Sequence, residues 1–433
     1  MKQIHLIVYT THYRKGSAEF KRIAETMQRE LSQSEKEEVV CTPIFGKKDL
    51  NDIFKTMEVA NEQMLSFHFV GHAGMYGPMY GTVEYPEQYS PFEIKQIHFP
   101  FAPNAKAYFH CCRSARWFAA FFARTKGVET FGYYNYTTFT ADKSKFKRIK
   151  KTSPHIYAIG SIGRKPHGYI GSLKKYLGFP VLETMKSFQP VSEDIDATYN
   201  NVAELYDAVF QDIKVREDEW EWITNHLPKN SDINVLDIGC GNGALLKELS
   251  PRINSGVGID LSANIIERAK MLNASNSNLS FKVIDGPVIP LEDQSLDLVI
   301  SMLSFRYLDW DPLMDEIKRV LKPGGKVLIL DMVTVPVKLK EIPTFLSHKL
   351  KQKRQLKKYK AFNENLAKLV KHPDWKKMLD YNPIRAEHEM KWYLESRFPG
   401  KKVEKINIGF HSCVLAFDSG DINNIQDIKL TYP

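Results

Sequence analysis

The stretch INVLDIGCGNG, residues 233–243, constrains this chain more than any other. An apolar run, VLDI, stops at three glycines on alternate positions, Gly239, Gly241 and Gly243, and ALLKEL then opens with helical spacing. Strand, glycine turn and helix therefore follow one another directly. Glycines at a strand end adopt turn conformations closed to other residues and let the main chain come close to a ligand. A G-x-G-x-G run alone fits many kinds of site. The sequence downstream carries the weight.

GVGIDLS (256–262) reads as a second strand ending in Asp260, placed to accept hydrogen bonds from ribose hydroxyls. FKVIDG (281–286) is a third, ending in Asp285, and SLDLVISMLSF (295–305) a fourth. EIKRVLKPGGKVLILD (316–331) gives a helix, a Lys322-Pro323-Gly324-Gly325 turn where the chain can reverse, and a fifth strand. This ordered set, over about 195–335, resembles the class I S-adenosylmethionine-dependent methyltransferases. The resemblance implies a Rossmann-like sheet with helices on both faces, S-adenosyl-L-methionine as cofactor, and a small-molecule or natural-product-like acceptor. Carried over by position, Asp237, Gly239, Cys240, Gly241 and Gly243 line the methionine and ribose part of the cofactor. Asp260 binds the ribose, with Leu261 beside the adenine. Asp285 and Gly286 face the adenine, and Ser301 and Leu303 lie near the cofactor and the substrate entrance. A nicotinamide site would show G-x-G-x-x-G, whereas residues 242–245 read N-G-A-L.

Methyl transfer from a sulfonium needs mainly alignment, and a general base only when the acceptor must lose a proton. Glu387, His388 and His411 are weak base candidates, each more readily structural than catalytic. The resemblance implies that Tyr199 and Tyr206, ahead of the glycine turn, close over the cofactor. It also makes the long basic stretch at about 336–400 a lid, with Trp375, Trp392 and Tyr393 to line it or to pack its core.

Residues 1–140 carry a second α/β pattern. HLIVYT (5–10), LSFHFVGH (65–72), AKAYFHCC (105–112) and GVETFGYYN (127–135) read as strands, and residues 17–31 and 114–123 as helices. His72 and Cys112 close two of the strands, where α/β sheets place their active groups. GHAG and FHCCRSA resemble the caspase-like (clan CD) cysteine peptidases over about 1–135, implying a smaller parallel sheet and a His72/Cys112 catalytic dyad. Ala73 stands where that family has glycine. Strand alternation sends Cys111 and Cys112 to opposite faces. Two further readings are an inactive partner-binding module and a peptidase working with the methyltransferase on a peptide acceptor.

The expected organisation is 1–140, a basic connection over 141–190, and 191–433. The net charge of +9 concentrates in 143–176 and 349–360, which hold no acid: they read first as a solvated helix face or linker, and second as a surface able to take an anionic partner such as nucleic acid, anionic lipid or an acidic protein. Five cysteines without a C-x-x-C pair or a Cys/His metal spacing suggest no metal site and a reducing, cytoplasmic setting. No apolar run approaches the roughly 20 residues of a membrane span.

Overall fold

The computed structural model describes residues 2–34, 36–140, 157–161, 181–191, 200–230, 232–335, 337–382, 384–409, 411–423 and 428. The chain divides into two compact units, Met1–Asp194 and Ile195–Pro433.

The first unit is built from β1 (Lys2–Thr10), α1 (Ser17–Ser34), β2 (Glu38–Ile44), α2 (Lys47–Val59), β3 (Glu62–Val70), β4 (Phe101–His110), α3 (Phe118–Lys126), β5 (Glu129–Gly132) and β6 (Lys186–Phe188). These strands form one sheet in the order β6-β5-β4-β3-β1-β2. It is parallel except for β6, which runs antiparallel to β5. Alternate residues feed two cores, as a pleated sheet covered on both faces requires. Ile4, Leu6, Val8, Phe67, Phe69 and Phe109 face one core, and Ile7, Tyr9 and Val70 the other. The expected connection over 141–190 does not merely connect. Among its described residues, Tyr157–Ser161, Val181–Leu182 and β6 are strands of this unit. Most of the basic 143–176 stretch lies outside the described residues.

The second unit holds α4 (Ala203–Phe210), α5 (Glu217–His226), β7 (Asn234–Ile238), α6 (Ala244–Leu249), β8 (Ser255–Asp260), α7 (Ala263–Leu272), β9 (Leu279–Val283), β10 (Leu296–Met302), α8 (Trp310–Val320) and β11 (Leu321–Thr334). Four helices follow, α9 (Ile342–Lys358), α10 (Lys360–Lys371), α11 (Pro373–Tyr381) and α12 (Glu387–Arg397), then β12 (Glu404–Ile406) and β13 (Ser412–Asp418). The strand order is β9-β8-β7-β10-β11-β13-β12, with β9 to β11 parallel and β13 antiparallel to both its neighbours. Leu236, Ile238, Val299, Val327 and Ile329 face one core; Val235, Leu298, Ile300, Leu328 and Leu330 face the other.

Two local expectations change. The Lys322–Gly325 turn does not reverse the chain: β11 already pairs at Leu321 with Leu296, then at Lys326 with Leu298, so the turn bulges out of a continuing strand. Gly324 sits in that bulge at φ +83°. In the first unit the strand expected over 105–112 ends at His110. The Cys111 amide turns back to the Phe109 carbonyl at 2.9 Å, and Arg113 is left-handed at φ +59°.

Candidate functional site

The glycine turn of the second unit is held by backbone geometry. Gly239, Gly241 and Gly243 have φ of +71°, +53° and +77°, where a side chain is strained. The amides of Gly239 and Cys240 both donate to the Ile259 carbonyl on β8, at 2.8 and 3.1 Å. Space is refused as well. A Cβ on Gly239 would lie 2.3 Å from the Ser304 Cβ, and one on Gly241 2.9 Å from the Tyr206 Oη. Cys240 is buried, its sulfur packed so close to Gly258 that a Cβ there would meet it at 2.7 Å. It is a packing residue.

Two carboxyls stand behind the turn. Asp260 ends β8; its Oδ2 accepts from the Gly241 amide at 3.1 Å and its Oδ1 from the Ser262 amide at 2.9 Å. Burial raises its pKa against the pull of those amides. Asp237, on β7 and 2 % exposed, is pushed up to about 8, first by burial and then by the negative charge of Asp260.

A network that the sequence reading missed fixes α4 across this turn. Asn242, inside the glycine motif, donates to Asp207 Oδ1 at 2.9 Å and to the Phe210 carbonyl at 3.2 Å. Arg268 of α7 pairs with the same Asp207 at 3.4 Å. Ser262 donates to Asn200 Oδ1 at 2.7 Å. Tyr206 is thereby set against Gly241; Tyr199 lies outside the described residues. No spacing signal announces these partners.

The carboxyl ends of β10 and β11 close another side. Ser301 is buried and shares a 2.8 Å hydrogen bond with Ser304, which donates to the Ile238 carbonyl at 2.6 Å. Leu303 is left-handed at φ +61°, its amide donating to the Leu330 carbonyl at 2.7 Å. Behind them Arg306 and Asp331 form a buried ion pair. Leu261 and Asp285 are exposed and Gly286 is half-buried.

The base candidates are placed as follows. Glu387 is held by Lys405 at 2.6 Å. His388 meets the Trp392 ring at 5.0 Å, and His411 is exposed. Tyr393 is a core residue that donates to Asp311 at 3.0 Å, and Trp375 packs against the cluster of Val202, Val209 and Leu369.

In the first unit, Val70 of β3 pairs in register with His110 of β4, so His72 and Cys112 each lie two residues beyond the same sheet edge. Their own bonds lead elsewhere. His72 Nε2 lies 2.9 Å from the Lys15 carbonyl and its ring meets Phe20 edge-on. The Cys112 thiol donates to the Thr137 carbonyl at 3.2 Å and accepts from the Thr137 amide at 3.3 Å. Among the described residues no hydrogen bond joins His72 to Cys112. Burial raises the Cys112 pKa and lowers that of His72. Cys111 is fully buried, separated from Cys112 by the turn after β4 and not by strand alternation. Among the described residues no cluster of His, Cys, Asp and Glu suits a metal ion, and no helix is long and apolar enough to cross a membrane.

Comparison with known proteins bears on the second unit. Residues 236–329 match the family model of a methyltransferase domain. The chain is 30% identical over 153 residues to a demethylmenaquinone methyltransferase of Staphylococcus aureus, covering 34% of this chain and 64% of that protein. It is 38% identical over 105 residues to a malonyl-[acyl-carrier protein] O-methyltransferase of Marinomonas, covering 24% of this chain and 39% of the relative. The chain thus spans less than two thirds of the curated relatives it matches. A solved S-adenosylmethionine-dependent methyltransferase of Aquifex aeolicus aligns at 17% identity and a TM-score of 0.34, over 52% of this chain and 99% of that one. The match over residues 236–329 therefore gives the second unit a methyltransferase domain.

Proposed function

We propose that this protein transfers a methyl group from S-adenosylmethionine to a small-molecule acceptor. The glycine turn with Asp260 behind it, inside the matched segment, carries the reading. The three positive-φ glycines let the turn pack directly against Ser304, Tyr206 and Phe281, where any Cβ would clash. Asp260 is suited to the ribose hydroxyls, and Asp237 with Gly239, Cys240, Gly241 and Gly243 to the methionine and ribose part. Leu261, Asp285 and Gly286, on the more open side, suit the adenine. Ser301 and Leu303 border the acceptor.

The cofactor supplies an electrophilic methyl on a sulfonium whose leaving group is already activated. The chain's task is to bind, orient and keep water out, and alignment of this kind is worth up to about 7–11 kcal/mol. Tyr206, fixed over Gly241 by the Asn242–Asp207 bond, shields one side of the turn. Glu387, engaged with Lys405, serves structure and not proton abstraction. The names of the two curated relatives, acting on demethylmenaquinone and on malonyl-[acyl-carrier protein], favour a small or carrier-borne acceptor.

Calorimetry with S-adenosylmethionine tests the reading. The protein is expected to bind it, and Asp260→Ala to lose at least about tenfold in affinity, as expected where a charged hydrogen-bond acceptor is removed. No binding by the intact chain, or equal binding by the variant, overturns it. A mass-shift screen with labelled cofactor then identifies the acceptor.

A further inference from the structure

Helix α9 has two faces of opposite character. Phe345, His348, Lys351 and Gln355, spaced three or four apart, are half-buried. Phe345 packs on the core of the second unit. His348 Nδ1 accepts from the Ile408 amide at 2.8 Å. Lys351 pairs with Asp218, and Gln355 donates to Glu217 at 3.2 Å. The face turned away from these contacts carries Ile342, Leu346 and Leu350, one turn apart, at 41, 56 and 62 % exposure. Leu339, just before the helix, is 68 % exposed. A solvated face would be polar at these positions.

The same helix holds six Lys and Arg and no acid. Lys351 and Lys358 are engaged by Asp218 and Glu217. Among the described residues Lys353, Arg354 and Lys357, which continue the outward face by a turn and a half, make no ion pair. Exposed aliphatic residues flanked by cations, on a helix anchored by its other face, match the chemistry of an interfacial helix. The aliphatic side chains enter the headgroup–acyl boundary and the cations meet lipid phosphates.

We propose that the outward face of α9 docks on an anionic membrane surface. A second copy of the chain would set the same cations against each other. A nucleic acid would engage Lys353, Arg354 and Lys357 but leave Ile342, Leu346 and Leu350 in water. Membrane docking uses both features, and it stands independently of the methyl-transfer reading.

Sedimentation of the full chain with phosphatidylcholine vesicles, with and without phosphatidylglycerol, tests this. Binding is expected to the anionic vesicles and at least about tenfold weaker to the neutral ones. Leu346→Glu/Leu350→Glu and, separately, Lys353→Glu/Arg354→Glu/Lys357→Glu are each expected to lose about tenfold. All five substitutions are on exposed positions, and unchanged thermal melting checks the fold. Failure to bind anionic vesicles overturns the proposal, as does binding that survives both variants. Loss in the charge variant alone identifies a polyanion site and overturns it too. A dimer abolished by the leucine variant assigns the face to self-association, with the same consequence.

Discussion

Asp237 and Asp260 stand on neighbouring parallel strands, and the charge of Asp260 helps burial to keep the Asp237 carboxyl protonated up to about pH 8. A cation brought against this pair favours the ionised form of Asp237. Binding of the sulfonium cofactor is therefore expected to release a proton below pH 8. Affinity should rise from pH 6 to about 8 and then level off, with most of that slope gone in Asp237→Asn. Calorimetry in two buffers of different ionisation heat measures the release, and a pH-independent affinity across that range would contradict it. For the free protein the sign is opposite. The unfolded chain gives up this proton near pH 4 while the folded one keeps it, so stability falls with rising pH between about 4 and 8. Asp237→Asn should flatten that fall.

Gly241 and Tyr206 are expected to be coupled. Gly241→Ala places a methyl 2.9 Å from the Tyr206 hydroxyl at φ +53°. Backbone strain of this kind costs about 1–3 kcal/mol, and the displaced tyrosine adds to it. Cofactor affinity should fall at least about tenfold together with the melting temperature. Tyr206→Leu should recover part of the stability of Gly241→Ala, because it relieves the clash but not the backbone. A double-mutant cycle that is purely additive would show that the ring does not bear on the turn.

The turn itself was legible in the sequence, and what holds it was not. Gly239, Gly241, Gly243 and Asp260 lie at strand ends, and local spacing alone reveals such positions. The Asn242–Asp207 bond spans 35 residues and the Ser304 bond to Ile238 spans 66. Each depends on how two elements pack, and side-chain partners of that kind leave no periodic trace. The bulge at Lys322–Gly325 was misread for a related reason. Pro and Gly mark a departure from regular structure, but only pairing with β10 decides that the strand resumes in the same direction. In the first unit the two cysteines were correctly separated on the wrong ground, since Arg113 adopts a left-handed backbone that its residue type does not announce.

Arg306 and Asp331 are 7 % and 0 % exposed, so breaking their pair leaves a charge buried without its partner. Asp331→Ala should destabilise the second unit by about 3–5 kcal/mol. Arg306→Met/Asp331→Leu, which removes both charges and keeps volume, should be closer to the parent than either single change. Denaturant unfolding of the parent, Asp331→Ala, Arg306→Met and the double variant distinguishes this from a surface-like pair, for which each change would cost about 1 kcal/mol or less.

In the first unit, three histidines and a serine run across three parallel strands. His5 lies 2.7 Å from Ser66, Ser66 2.9 Å from His68, and His68 3.3 Å from His110. Burial holds His68 well below its ordinary pKa and His110 down at about 4. The unfolded chain takes up protons near pH 6.5 that the folded chain refuses. Stability is therefore intact above pH 6.5 and is lost as pH falls toward 4, by on the order of 3 kcal/mol for His110. His110→Gln should remove much of this acid sensitivity. If the parent and the variant lose stability in parallel between pH 6.5 and 4.5, the histidine row is not its source.

Cys112 and His72 offer a last measurement, because reactivity follows the thiolate. Burial raises the Cys112 pKa, the Thr137 amide only partly opposes it, and His72 hydrogen-bonds toward Lys15. Alkylation of Cys112 by iodoacetamide should be slower at pH 7.4 than that of an exposed cysteine and should still be climbing above pH 9. His72→Ala should leave the rate unchanged. A working dyad gives the opposite pattern: a rate already on its plateau near neutral pH, falling sharply in His72→Ala. Mass spectrometry of the labelled peptide, with Cys112→Ala as control, separates the two. The slow profile would make Cys112 a residue that ties the turn after β4 to Thr137, and the fast one would require His72 to leave Lys15 and reach the thiol.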